Sequence, residues 1–214
     1  MTDTYLTVHE EAHVTYTTQK SCFIGSAAPC LSEEDALSFI ARIRQKYIEA
    51  SHYCYAYIFN RESPLSRFTD DGEPSGTAGL PILNVLKQKE LTNTCAVVTR
   101  YYGGIPLGKS GLIRAYTRSC ASAADAAGII CMELCEQWEC TVPYPMWDRT
   151  RRLLETMPVR LEAPVFTENV RFMLCIGQQD TPEVMVRLKD ITSGSIQCHQ
   201  TGVFYAPRDN RNRL

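Results

Sequence analysis

No apolar run in this 214-residue chain approaches the roughly 20 residues that a membrane-spanning helix needs. The opening Met1-Thr2-Asp3-Thr4-Tyr5 lacks a basic region and an apolar core, so no signal peptide is expected. Net charge is only −2, which removes the general pull toward nucleic acid or anionic lipid that a polycation has. Histidine is scarce, with four scattered residues, and no C-x-x-C pair occurs. The nearest grouping, Cys131, Cys135 and Cys140, therefore does not read as a zinc site. Cysteine itself is not scarce: the ten present read as reduced thiols acting as small core hydrophobes. A cytoplasmic protein of one large or two small domains is expected, with no membrane association, no metal and no cofactor.

What the chain does have is two polar, glycine-rich loops. The run Thr99 to Tyr116 carries Gly103, Gly104, Gly108 and Gly111 between apolar Cys95-Ala96-Val97-Val98 and a helical stretch, Leu112 to Ala127. Glycines there permit positive φ and close approach, and a loop feeding a helix N-terminus presents free N–H groups to an anion. Asp70-Asp71-Gly72-Glu73-Pro74-Ser75-Gly76-Thr77-Ala78-Gly79 repeats the design with acids in front. Gly103 to Ser110 also matches G-x-x-x-x-G-K-[ST], which casts Lys109 as a phosphate ligand and Ser110 as a magnesium ligand. The context argues against that. Phe172-Met173-Leu174-Cys175-Ile176 runs into Gly177-Gln178 rather than a metal-binding Asp, and the repeated β-α units of a nucleotide-hydrolysing domain are missing.

The element pattern is α+β. Ser32 reads as an N-cap with acids behind it, and Ala36, Leu37, Ile40, Ile43 and Tyr47 as one buried helical face. His52 to Phe59 and Thr94 to Tyr101 read as strands, and Leu80 to Lys89 as a helix. Ser75 or Thr77 is expected to cap that helix. Together they predict a first domain, residues 1–136, with two helices on one face of a mixed sheet. Beyond it the rhythm shortens: strand Trp138–Val142, helix Met146–Thr156, strands Val159–Phe166 and Val170–Ile176, a helix through Asp190 capped by Thr181, and strand Ser195–Phe204. That β-α-β-β-α-β order predicts a ferredoxin-like second domain, residues 137–214.

The two loop motifs, with Arg100-Tyr101-Tyr102-Gly103-Gly104 and Gly111-Leu112-Ile113-Arg114-Ala115-Tyr116 at their centre, resemble those of the IMPACT/YigZ family. Lys20-Ser21-Cys22-Phe23-Ile24-Gly25 and, in the second half, Asp190-Ile191-Thr192-Ser193-Gly194 extend the likeness over nearly the whole chain. The resemblance implies an N-terminal domain like domain IV of elongation factor G and a ribosomal-protein β-α-β fold, followed by a ferredoxin-like domain. It also implies a regulator or binding module of translation, contacting ribosome, RNA or a translation-regulating protein. Eukaryotic relatives are implied to compete for an activator of the starvation-responsive initiation-factor kinase. Relatives carry small residues where Lys109-Ser110 stand, which weakens the nucleotide pattern further.

The candidate binding residues are Asp70, Asp71, Glu73, Ser75, Thr77, Arg100, Tyr101, Gly103, Gly104, Lys109 and Arg114. The carboxylates could serve a metal or a proton transfer, or simply cap a turn. Arg100 and Arg114 could clamp a phosphate, or pair with those carboxylates and tie the loops together. Converging loops predict Arg100 or Arg114 within ion-pair range of Asp70, Asp71 or Glu73. Tyr101 and Tyr102 could stack on bases, with strand alternation burying one ring. No Ser-His-Asp or Cys-His set can be assembled, so no catalytic residue is named. The rival to a binding module is a hydrolase or small-molecule site for a phosphate-bearing ligand between the loops.

Overall fold

The computed structural model describes residues 4–59 and 65–208. Its elements are β1 (Thr4–Val8), β2 (Ala12–Thr18), β3 (Ser21–Pro29), α1 (Glu33–Lys46), β4 (His52–Phe59), β5 (Leu65–Thr69), α2 (Gly79–Gln88), β6 (Thr94–Tyr101), α3 (Gly108–Ala126), β7 (Ile129–Val142), α4 (Tyr144–Leu154), β8 (Val159–Leu161), β9 (Val165–Phe166), β10 (Val170–Gly177), α5 (Thr181–Ile191) and β11 (Gln197–Pro207). They form two compact units, Tyr5–Ile130 and a second that begins at Cys131.

The first unit is built on a sheet of order β2-β3-β6-β4-β5. Every pairing in it is antiparallel, not mixed as the sequence suggested. The reason is topological: β3 and β4, joined by α1, leave a gap that β6 fills running opposite to both. Being central, β6 is buried on both faces, which explains its unbroken apolar run. Cys95 and Val97 face α1 through Ala36, Phe39, Ile40 and Ile43. Ala96 and Val98 face α2 and α3 through Ile82, Leu86, Ala115, Tyr116 and Cys120. Two helices thus share one face while α1 covers the other.

Ser32 caps α1 with Asp35 in a reciprocal capping box. Leu37 is half exposed rather than buried, because it lies about 100° around the helix from the stripe set by Ala36, Ile40 and Ile43, and Phe39 takes its place. The helix expected from Leu112 starts four residues earlier, at Gly108, so Lys109 and Ser110 occupy its first turn. Close approach explains two glycines. A Cβ on Gly25 would stand 2.2 Å from the Ser119 carbonyl oxygen, and one on Gly79 2.5 Å from that of Thr69.

In the second unit β7 pairs antiparallel with β10 and β11, and β10 with β8 and β9. The helices α4 and α5 cover one face, packing Trp147, Leu154, Val184 and Leu188 on Cys140, Val142, Phe172, Leu174 and Ile176. The single strand expected over Val159–Phe166 is broken into β8 and β9, with Pro164, which has no N–H for a ladder, in the gap. Thr181 is not the cap of α5: Asp180 holds that position, and the Thr181 hydroxyl donates back to the Gly177 carbonyl at 3.4 Å.

Gly25→Ala is expected to cost about 3 kcal/mol in urea unfolding, because the new methyl meets helix backbone rather than a movable side chain. Gly76→Ala, where nothing lies within 4 Å but φ is +75°, should cost only about 1 kcal/mol.

Candidate functional site

Each glycine loop leaves a strand and enters a helix on the same face of the first sheet: β5 to α2, and β6 to α3. In the first loop Asp71 and Gly72 both take positive φ, 43° and 90°, and turn the chain sharply after β5. That turn aims three carboxylates in three directions. Asp70 points at the start of α2 and accepts from the amides of Gly76, Ala78 and Gly79, each at 2.9 Å. No side chain of Ser75 or Thr77 caps α2, contrary to expectation. Ser75 is exposed, and the buried Thr77 hydroxyl donates to the Pro74 carbonyl at 2.6 Å. Asp70 performs the capping from across the loop. Burial alone would raise its pKa, but the amides of Gly76, Gly79 and Ala78 outweigh that and hold the carboxyl below its ordinary value.

Asp71 turns outward to Arg44 Nη2 at 2.9 Å and accepts the Tyr53 amide at 2.7 Å. Its carbonyl takes the Nδ1 proton of His52 at 2.8 Å, which fixes that ring's orientation. Glu73 turns inward. Only 7% exposed, its Oε1 accepts from Arg100 Nη1 at 2.6 Å and from the Tyr116 hydroxyl at 2.8 Å, with His52 Nε2 at 3.9 Å. Arg100, 5% exposed, lies between the rings of Phe23 and Tyr102, 5.4 and 5.1 Å from their centroids. Its Nη2 reaches the Ser21 hydroxyl at 3.5 Å, and its Nε has no hydrogen-bond partner among the described residues. Burial pushes the Cys54 thiol up to about 12, and burial likewise drives the Tyr116 phenol far above its ordinary value, so both stay protonated near neutral pH. Cys54 donates to the Asp70 carbonyl at 3.0 Å. The cluster holds charge and hydrogen bonds in fixed places, with its thiol and its buried phenol protonated.

The second loop is packed at its start and open beyond it. Gly103 crosses so close to Lys20 that a Cβ would lie 2.1 Å from that backbone, and its amide faces the Ser21 hydroxyl at 3.3 Å. Gly104 and Gly108 take positive φ in open space. Tyr101 is half-buried, its hydroxyl on the Ile48 carbonyl at 3.0 Å, while Tyr102 is exposed. The β6 strand that feeds this loop runs antiparallel to both neighbours, unlike the strand before a nucleotide-binding glycine loop in a parallel sheet. Lys109, Ser110 and Arg114 are all exposed on α3, and neither Lys109 nor Arg114 has an ion pair among the described residues. One turn on from Arg114, Arg118 lies over the Tyr16 ring at 4.4 Å.

The structure thus brings Asp70, Asp71, Glu73, Arg100 and Gly103 together and leaves Ser75, Lys109 and Arg114 outside. Sequence reasoning missed Ser21, Phe23, Cys54 and Tyr116 as members and gave His52 no role. Tyr116 had a signal, since it shares the buried stripe of α3 with Leu112 and Ala115. A groove of about 300 Å3 between α2 and α3 is lined by Leu80, Pro81, Asn84, Gln88, Ile113 and Thr117 among others, and it meets the first loop at Gly76, whose amide donates to Asp70. Among the described residues no three metal-ligating side chains converge, and no helix is long and apolar enough to cross a membrane.

The chain thus has two α+β units, the first carrying the clasped glycine loops and an α3 N-terminus without a side-chain cap among the described residues. Residues 19–124 match the Impact N-terminal domain, and residues 140–195 match a domain of unknown function, DUF1949. The chain is 34% identical to IMPACT family member YvyE of Bacillus subtilis (strain 168) over 194 residues, covering 91% of this chain and 89% of that one. It is 34% identical over 100 residues to Protein IMPACT of Mus musculus, covering 44% of this chain and 31% of that protein. A crystal structure of a hypothetical protein superposes with a TM-score of 0.61 at 27% identity, over 94% of this chain and 99% of that one. The chain belongs to the IMPACT family.

Removing one member of the buried pair should be costly. Arg100→Ala is expected to lose about 3 kcal/mol in urea unfolding, because Glu73 is left buried without its cation. Glu73→Leu combined with Arg100→Met should recover most of that loss. Asp70→Ala should cost about 1–2 kcal/mol at neutral pH. Because the folded pKa of Asp70 is depressed, its contribution is present above the unfolded value of about 3.9 and fades as pH falls through the folded one. The stability gap between wild type and variant should therefore close below about pH 4.

Proposed function

We propose that the protein is a translation-associated binding module, acting by contact with ribosome, structured RNA or a translation-regulating protein rather than by catalysis. The observation that carries this is the division of its cations. Arg100, between the loops, is neutralised by Glu73, while Lys109, Arg114 and Arg118 stand exposed along α3. Arg114 and Arg118, four residues apart, share one helix face. Exposed cations on a rigid helix suit a chain of phosphates, which fixes position more than sequence. Tyr102, exposed in the second loop with the Arg100 guanidinium against its ring, offers a stacking surface. The kinship with Protein IMPACT supports a role in translation, and a first unit built like domain IV of elongation factor G, which the family resemblance implies, belongs to the same proposal. The second unit's strand order, β11-β7-β10-β8, supports a ferredoxin-like reading for it. A cytoplasmic site of action belongs to the same proposal.

The rival hydrolase or small-anion site between the loops loses its central cation to Glu73 and finds Cys54 and Tyr116 protonated. Co-sedimentation with ribosomes and titration against structured RNA, both across rising salt, test the proposal. A steep fall of affinity with salt is expected. Arg114→Ala and Arg118→Ala should each flatten the log–log slope by about 1 without shifting the melting temperature. Failure to associate with ribosomes or RNA even at low salt contradicts this reading of α3.

A further inference from the structure

Three thiol pairs lie close together in this chain, and their register separates one from the other two. Cys140 on β7 stands directly opposite Cys198 on β11, with the sulfurs 2.7 Å apart. Directly opposed residues of an antiparallel ladder have Cα atoms about 4.5–5.5 Å apart, inside the roughly 4.4–6.8 Å that a disulfide bridges. The other pairs are diagonal. Cys135 opposes Gly177 while Cys175 opposes Gln137, and Cys95 opposes Ala28 while Cys30 lies two residues further on. Diagonal neighbours are about 7–8 Å apart at Cα, beyond what a disulfide spans without backbone movement. Of the three pairs, Cys140 and Cys198 alone stand directly opposite one another in a ladder.

Access favours the same pair. Cys140 is wholly enclosed, whereas Cys198 is half-buried and opens to solvent near the end of α5. The hydrogen bond from Cys140 holds the Cys198 thiol below its ordinary pKa against the opposing effect of burial, and Lys189 adds to it. That same hydrogen bond, and then burial, push Cys140 the other way. One sulfur is thus half-buried with its thiol easier to ionise, and the other is enclosed, protonated and in contact with it.

We propose that Cys140 and Cys198 form a reversible dithiol–disulfide site, oxidised by hydroperoxides and restored by small-molecule thiols. The Cys198 thiolate attacks the hydroperoxide, the O–O bond breaks, and the leaving alkoxide takes up the proton that Cys198 released, giving an alcohol and a sulfenic acid. The Cys140 sulfur then attacks the Cys198 sulfur; its own proton joins the departing hydroxide, which leaves as water. Two thiols and one hydroperoxide become one disulfide, one alcohol and one water. For hydrogen peroxide the alcohol is a second water. The bond fastens β11 to β7 across a sequence separation of 58 residues, which restricts the unfolded chain.

The test treats the full-length reduced protein with hydrogen peroxide, counts free thiols, and maps links by mass spectrometry after Glu-specific digestion, which places Cys135, Cys140, Cys175 and Cys198 on four separate peptides. The folded protein should lose two of its ten thiols, yield a Cys140–Cys198 link, and gain roughly 5–10 °C in melting temperature, all reversed by dithiothreitol. Cys135→Ser should behave as wild type. Cys198→Ser, and Cys198→Ala as a second variant, should form no link, while their reduced melting temperatures report that they fold. A link through Cys135 or Cys30, a Cys140–Cys198 link that forms equally well in urea, or peroxide-treated Cys198 that stops at sulfinic acid with Cys140 free would each overturn the proposal.

Discussion

A guanidinium and a carboxylate, each less than a tenth exposed, meet at 2.6 Å between Arg100 and Glu73, and the first unit is arranged around that meeting. Either charge alone in such a place would cost several kcal/mol, so each requires the other. Tyr116 adds a hydrogen bond from α3, Ser21 and Phe23 add contacts from β3, and Asp70, three residues from Glu73, caps α2. One pair therefore ties together the central strand, both neighbouring helices and both glycine loops. The glycines take their meaning from it. Gly103 exists because the loop must pass over Lys20, and Gly72 because the chain must reverse before Glu73 can turn inward.

This arrangement bears on the two meanings that charged residues beside glycine loops can have. Arg100 was open to two readings, anion ligand or structural partner, and its 2.6 Å ion pair with Glu73 supports the second. The carboxylates separate in the same way: Asp70 serves amides, Asp71 serves Arg44 and a strand amide, Glu73 serves Arg100. With their oxygens committed in three directions, they form a clasp. What remains free is the outer surface of α3, held at a fixed height above the sheet by the clasp below it.

Strands and helices with a strong periodic signal were legible in the sequence. β4 and β6 run over the residues their aromatic and apolar runs indicated, and Ser32 with Asp35 announced the start of α1. β5 was not legible, because Leu65-Ser66-Arg67-Phe68-Thr69 is short, polar and at the sheet edge, where burial leaves little mark. The cap of α2 was read locally as Ser75 or Thr77, yet an acid eight residues before Ala78 supplies it, a distance no capping rule spans. The start of α3 was placed late because glycines at 108 and 111 read as loop. In the site, charges that flank a loop could be named from sequence, but which of them would meet depended on β6 lying between β3 and β4.

The central claim is that Arg100 belongs to the scaffold while the cations of α3 belong to the partner. Side-chain nitrogen–proton NMR of the arginines in the wild-type protein addresses it directly. The account predicts slowly exchanging Arg100 guanidinium signals that stay in place on adding phosphate or nucleotides, while Arg114 and Arg118 signals shift or broaden with structured RNA. Arg100 signals that move with phosphate or nucleotide, with Arg114 and Arg118 indifferent to RNA, would contradict it.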